Sequence, residues 1–242
     1  MIHVIYMAAG NSRRFGRNKL LVSWHGKPLY RHTLDLLLDR QRAWAGRCPI
    51  TITVVTQYEE ILRELGDRSG QEGLSVVYCA DSKKGVSYTI RAGIQAASRR
   101  DGSRSRLCGE TSQDMWMFVV ADQPLLSAAS IDALIQAVCD AGDPGDHRKQ
   151  AEECAHVCEK QFSPEAYALA CHGQAGNPCV FSDALIPELL ALEGDQGGRT
   201  VLRRHRCMYV EIGDAAEFMD IDSAEDAGRI GGMTDVDRNM AL

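Results

Sequence analysis

The chain has 242 residues, 45% of them hydrophobic, enough to bury a full core, and one large domain is expected rather than two small ones. Its 27 basic and 33 acidic residues give a net charge of -6, which excludes a broad basic face for nucleic acid or an anionic membrane. Positive charge is instead crowded into the first loop.

Strand-like sequence begins at Ile2 with no basic, apolar leader before it. No apolar run approaches the roughly 20 residues of a spanning helix, so the expectation is a soluble, cytoplasmic protein. Nine cysteines lie scattered, many in apolar segments as at Cys79, Cys139, Cys171 and Cys179, where they read as small hydrophobes rather than a disulfide framework.

Ile2 to Tyr6 reads as a buried parallel strand. The loop after it, MAAGNSRRFGRNK from Met7 to Lys19, crowds together Gly10, Arg13, Arg14, Gly16, Arg17 and Lys19. Its glycines allow a tight turn that brings backbone N–H groups close to an oxyanion, and its arginines and lysine add charge. A triphosphate suits such a loop. Five residues separate Gly10 from Gly16 and Arg17 follows, which fits neither the P-loop nor the dinucleotide fingerprint.

MAAGNSRRFGRNKLLVSWHGKPLYRHTL resembles the signature of nucleotidyltransferases that attach a nucleotide to a phosphorylated acceptor. With the AAG turn, VVADQPLL (Val119 to Leu126) and GDQGGR (Gly194 to Arg199), the chain is most similar to the molybdenum cofactor cytidylyltransferases. The resemblance implies CTP as donor, with GTP the alternative, and the terminal phosphate of a molybdopterin cofactor as acceptor. A molybdenum hydroxylase is the implied recipient. Ala8, Ala9, Gly10, Asn11, Ser12, Arg13 and Gly16 are then nucleotide contacts, and Arg14 and Lys19 are catalytic.

Tyr30 to Leu38 reads as a helix packing beneath the loop, with Leu34, Leu37 and Leu38 on one face. Strands at Ile50 to Val55 and Leu74 to Cys79 flank a helix over Glu59 to Leu65. This alternation predicts an α/β fold, a Rossmann-like doubly wound sheet that is mostly parallel, with room for one antiparallel strand. Lys84 to Thr89 opens a further helix through Ile90, Ile94 and Ala97, and reads equally as an N-cap or an anion site. The resemblance favours nucleotide contact, with Ser87 the candidate.

Ser98 to Asp114 is polar and aperiodic, an exposed insertion. Met115 to Ala121 is the most apolar strand and hence central, and it delivers Asp122 to the same sheet edge as the Gly10 loop. A carboxylate there suits magnesium brought by a triphosphate; the bland alternative is a helix cap. Ile131 to Ala141 is a helix. Gly142 to Ser163 is a second polar insertion, whose Cys154, His156 and Cys158 lack the second pair that structural zinc wants.

Tyr167 to Cys171 and Cys179 to Phe181 read as strands joined by His172 to Pro178, and the resemblance places the acceptor side of the cleft there, near Asn177. Ala184 to Leu192 is helical. Asp195 and Arg199 follow among glycines at a helix start, either to hold the acceptor phosphate or to brace the turn as an ion pair. Cys207 to Ile212 and Phe218 to Asp222 read as strands. Alternation puts Asp220 and Asp222 on one face, opposite Met219 and Ile221. Asp220 is the expected second metal ligand, and Asp222 a structural residue or acceptor contact. Ser223 to Asp226 caps a last helix, closing a domain over residues 1–230, and 231–242 is a loose tail.

The expected reaction is attack of an acceptor phosphate on the α-phosphorus of a nucleoside triphosphate, with loss of pyrophosphate. Such a nucleophile is already ionised, so no protein base is required. Two alternatives stand beside it: the same chemistry on a sugar phosphate, and a non-catalytic nucleotide- or cofactor-binding chaperone for a molybdoenzyme.

Overall fold

β-Branched runs close to the expected ones become four parallel strands: β1 (Ile2–Ala8), β4 (Ile50–Thr56), β5 (Leu74–Tyr78) and β6 (Met115–Val120). The computed structural model describes residues 1–12, 15–66, 73–100, 114–142 and 164–229. Both insertions fall mostly outside that set, and Arg13, Arg14, Cys154, His156, Cys158 and the tail fall wholly outside it.

The sheet has seven strands in the order β5-β4-β1-β6-β8-β7-β9, with β7 at Ala166–Cys171, β8 at Gln174–Ser182 and β9 at Cys207–Glu211. β8 runs antiparallel to both β6 and β7, and β9 is parallel to β7. The sheet is thus mostly parallel, with the reversal beside its central strand. A two-stranded ribbon of β2 (Ser23–Trp24) and β3 (Lys27–Pro28) stands apart.

Period-two alternation sorts the strands' side chains onto two faces. On one, Val4, Tyr6, Met117 and Val119 pack with helices α1 (Leu29–Trp44), α2 (Glu59–Gly66) and α4 (Ala128–Gly142). On the other, Ile5, Trp116 and Phe118 meet α3 (Val86–Arg100), α5 (Ile186–Leu190) and α6 (Gly198–Leu202). Parallel strands buried on both faces read as continuous apolar runs, and these do.

α1 does more than fill the core. The Tyr6 hydroxyl donates to the Tyr30 carbonyl at 2.5 Å, and the Thr33 hydroxyl donates to the Gln123 carbonyl at 2.9 Å. One helix therefore fixes both β1 and the turn that carries Asp122.

Two expected elements differ. The link between β7 and β8 is not a seven-residue loop but a two-residue turn, with His172 at φ 51° and Gly173 at φ 74°, the left-handed pair that matches strand twist. His172 is a turn residue. Phe218 to Asp222 is not a strand: a 3-10 turn over Ala215–Phe218 leads into an extended segment that crosses the end of β6, where the Ile221 N–H donates to the Asp122 carbonyl at 3.0 Å. Met219 is 41% exposed while Ile221 is 1% exposed, so the expected sharing of a face fails. The capping box does form, with Ser223 Oγ accepting from the Asp226 N–H and Asp226 Oδ2 accepting from the Ser223 N–H, ahead of α7 (Ala224–Arg229).

Candidate active site

The loop after β1 folds back on itself through local bonds. Asn18 Oδ1 accepts from the Leu20 N–H at 3.1 Å, starting a 3-10 turn over Lys19–Leu21, and Ser12 Oγ accepts from the Lys19 N–H at 3.1 Å. Gly16 turns at φ 69°, a region open mainly to glycine. Lys19, 5% exposed, is thereby aimed at the carboxyl end of β6. Its Nζ donates to Asp122 Oδ2 at 2.9 Å and to Asp222 Oδ1 at 2.6 Å.

Burial alone would lower the Lys19 ammonium, but the Asp122 charge and the bonds to both carboxylates override it and leave the group raised. Lys19 is charged throughout the neutral range.

The two candidates for second carboxylate take different positions. Asp222 meets Asp122 across Lys19, whereas Asp220 stands one step behind, its Oδ1 accepting from Gln123 Nε2 at 2.8 Å. Desolvation, then the neighbouring Asp122 charge, raises the Asp220 carboxyl. Among the described residues no cluster of three or more His, Cys, Asp or Glu is arranged around one point. Two hard carboxylates converging on one cation still fit magnesium, which keeps several waters and takes the rest of its shell from substrate phosphate.

A cleft runs from Ala9, Gly10 and Asn11 past Lys19 and Asp122 to Gly85, Val86, Thr89 and Asp195. Ala8 is buried in β1 and does not line it, and Ser12 spends its hydroxyl oxygen on the Lys19 N–H. Ser87 is also misplaced by the sequence reading. It is fully buried, its Oγ has no hydrogen-bond partner among the described residues, and its N–H donates to the Gly194 carbonyl at 3.1 Å. Helical phase could have said so: Ser87 shares a stripe with Ile90 and Ile94, while Val86 and Thr89 face the cleft. Thr89 Oγ1 donates to Ser82 Oγ at 2.9 Å, a buried hydroxyl pair on the cleft wall.

Near Asn177, where the acceptor side is expected, the ladder of β6 with β8 runs only from Met115↔Ser182 to Phe118↔Cys179. Beyond Cys179 the two strands part, leaving Asn177 and Pro178 outside that ladder while Asp122 ends the turn from β6. Asp195 reaches the nucleotide cleft because Gly85, at φ 147°, lets Gly194 approach; a Cβ there would sit 2.2 Å from the Gly194 oxygen. Arg199 is exposed and makes no ion pair with Asp195, so the bracing alternative is not formed. Sequence reasoning missed Gln57 and Tyr58, which stand at the carboxyl end of β4, the parallel neighbour of β1, and bond to the carbonyls of Ala9 and Gly10.

Known proteins share this fold. PucB of Bacillus subtilis (strain 168), a purine catabolism protein, is 24% identical over 230 residues, covering 92% of each chain. The crystal structure of Rv0371c from Mycobacterium tuberculosis H37Rv matches 95% of this chain and 96% of its own, with a TM-score of 0.61 at 18% identity, and that protein is also known in complex with manganese. 4-Diphosphocytidyl-2C-methyl-D-erythritol synthase from Anaerococcus prevotii DSM 20548 gives a TM-score of 0.61 at 14% identity, covering 95% and 93%. Molybdopterin-guanine dinucleotide biosynthesis protein A from Archaeoglobus fulgidus gives 0.53 at 16%, covering 95% and 96%. These likenesses establish the fold. The model of the MobA-like NTP transferase domain matches residues 4–208, most of the chain, and takes in the loop, Lys19 and Asp122; the chain belongs to the MobA-like NTP transferase family and is a nucleotidyltransferase.

Proposed function

We propose that the protein transfers CMP from CTP to the terminal phosphate of a molybdopterin cofactor, with magnesium, in the cytoplasm. The observation that carries a metal-assisted transfer is the meeting of the Lys19 ammonium with Asp122 and Asp222 at the sheet edge lined by the Gly10 turn. The molybdopterin acceptor is supported by the AAG turn, VVADQPLL and GDQGGR, and by the neighbour named for molybdopterin-guanine dinucleotide biosynthesis. The neighbour named for a diphosphocytidyl product supports cytosine as a base this fold accepts. A relative named for purine catabolism is consistent with a molybdenum hydroxylase as recipient.

The chain's own groups then have distinct tasks. The Gly10 turn binds phosphate, and the Ser82–Thr89 hydroxyl pair offers the base polar contacts on the cleft wall. Asn177 in β8 and the exposed Arg199 are assigned to the acceptor. A phosphate nucleophile arrives ionised, so the reaction requires no protein base. Lys19 neutralises charge that builds on the leaving pyrophosphate. Asp122 and Asp222 are the residues that would hold magnesium, which when bound polarises the α-phosphate.

The test is pyrophosphate release from CTP, GTP, ATP and UTP in turn, with molybdopterin acceptor and magnesium. CTP alone is expected to support release, with Lys19→Met and Asp122→Asn each losing about 100-fold or more. Release with GTP, or with a sugar phosphate in place of the pterin, would reassign base or acceptor. Nucleotide binding without any release would replace the reading with a chaperone role.

A further inference from the structure

We infer that Gln57 and Tyr58 are positioning residues that aim two consecutive backbone amides, those of Gly10 and Asn11, at substrate phosphate. This rests on the nucleotidyl-transfer reading of the cleft but not on the choice of base or acceptor.

Gln57 Nε2 donates to the Ala9 carbonyl at 2.7 Å, and the Tyr58 hydroxyl donates to the Gly10 carbonyl. Both residues follow β4 directly, and Tyr58 is itself pinned by its N–H, which donates to Thr56 Oγ1 at 3.1 Å. The two carbonyls are thus held toward the β4 side of the turn. In a trans peptide the C=O and N–H lie in one plane and point opposite ways. The N–H of Gly10 shares a plane with the Ala9 carbonyl, and that of Asn11 with the Gly10 carbonyl. Fixing the carbonyls therefore fixes both N–H groups on the opposite side.

That direction has a use. Ala9, Gly10 and Asn11 line the cleft, and neither the Gly10 nor the Asn11 N–H makes a hydrogen bond among the described residues. Main-chain donors are rarely left unspent, and two successive N–H groups facing one way form an anion-binding concavity. The Asn11 side chain completes the clamp: its Oδ1 accepts from Gln57 Nε2 at 3.0 Å and its Nδ2 donates to the Lys83 carbonyl at 3.1 Å, tying the turn to the segment before α3. Gly10 lines the cleft and, among the described residues other than its chain neighbours, none has an atom within 4 Å of where a Cβ would stand, which leaves room beside the turn.

The test uses inorganic pyrophosphate, with magnesium, as probe on the full chain. Gln57→Met and Tyr58→Phe are each expected to weaken pyrophosphate binding by about 3- to 10-fold, one hydrogen bond's net worth, in calorimetric titration. The KM for nucleotide should rise by the same factor while kcat stays within about twofold, the pattern of lost uniform binding. Gln57→Glu, which keeps the shape but places an acceptor against the Ala9 carbonyl, should lose more than Gln57→Met. In the unaltered protein, the 15N–1H resonances of Gly10 and Asn11 should shift on pyrophosphate addition. Unchanged affinity and KM in folded Gln57→Met and Tyr58→Phe would overturn the inference and leave nucleotidyl transfer intact. Amides that stay put in the titration would overturn it whatever the variants do. A wild-type protein that neither binds pyrophosphate nor turns over any nucleotide would sink both.

Discussion

Lys19 lies 103 positions from Asp122 and 203 from Asp222, yet one ammonium joins them. Asp122 was legible in the sequence because it follows directly on an apolar strand, a place chain topology assigns to ligands, and Lys19 because it belongs to the basic loop after β1. The choice between Asp220 and Asp222 was not. Alternation set both acids on one face and the resemblance favoured the first, but the segment is no strand and the two carboxylates take different partners. Asp220 has its own signature. Its folded carboxyl is raised, so the native state holds a proton where the unfolded chain has already released it, and ionising Asp220 costs stability as pH climbs through that window. Asp220→Asn removes the cost while an amide oxygen can still accept from Gln123 Nε2. The variant should melt above the parent at pH 7, with the gap closing as pH falls toward the ordinary aspartate value; a gap that persisted in acid would contradict this account.

Strands and helices proved easier to read than the joints between them. β1, β4, β5 and β6 announce themselves as apolar β-branched runs, whereas the His172–Gly173 turn depends on a pair of left-handed residues that a longer polar stretch conceals. Ser87 failed for a related reason: hydroxyl residues opening a helix suggest a binding site, but it is the helix's phase against the sheet that decides which of them faces out. The joint between α3 and the segment before α6 is the tightest of these. Gly85 at φ 147° lets the Gly194 backbone lie against it, and Gly85→Ala would drive a methyl into backbone atoms in a conformation alanine rarely adopts. The expected loss is about 2–4 kcal/mol, seen as a drop of roughly 5–15 °C in the melting midpoint. Because Asp195 rides on this contact, nucleotide KM should rise in the same variant.

On the proposed reading the molecule divides its labour across the reversal beside β6. The parallel strands β4, β1 and β6 lead into Gln57 and Tyr58, the phosphate turn and Asp122, while β8 and the start of α6 carry Asn177 and Arg199. Arg199→Ala is therefore expected to raise the acceptor KM about tenfold with little change in nucleotide affinity, the loss of a charge-assisted contact on one side only. Two-substrate kinetics would read this directly, and a matching rise in nucleotide KM would argue against the division. The overall charge is acidic, at -6, and within it Lys19 is a buried positive charge held against two carboxylates. Asp222 arrives after β9, the last strand of the sheet, by way of a segment that returns across the end of β6. On the ribosome, then, every sheet strand is made before the residue that completes the pairing of Lys19. Of the described fold only α7 is made later, and a protease cut between β9 and Asp222 would threaten the pairing of Lys19 before it threatened the sheet.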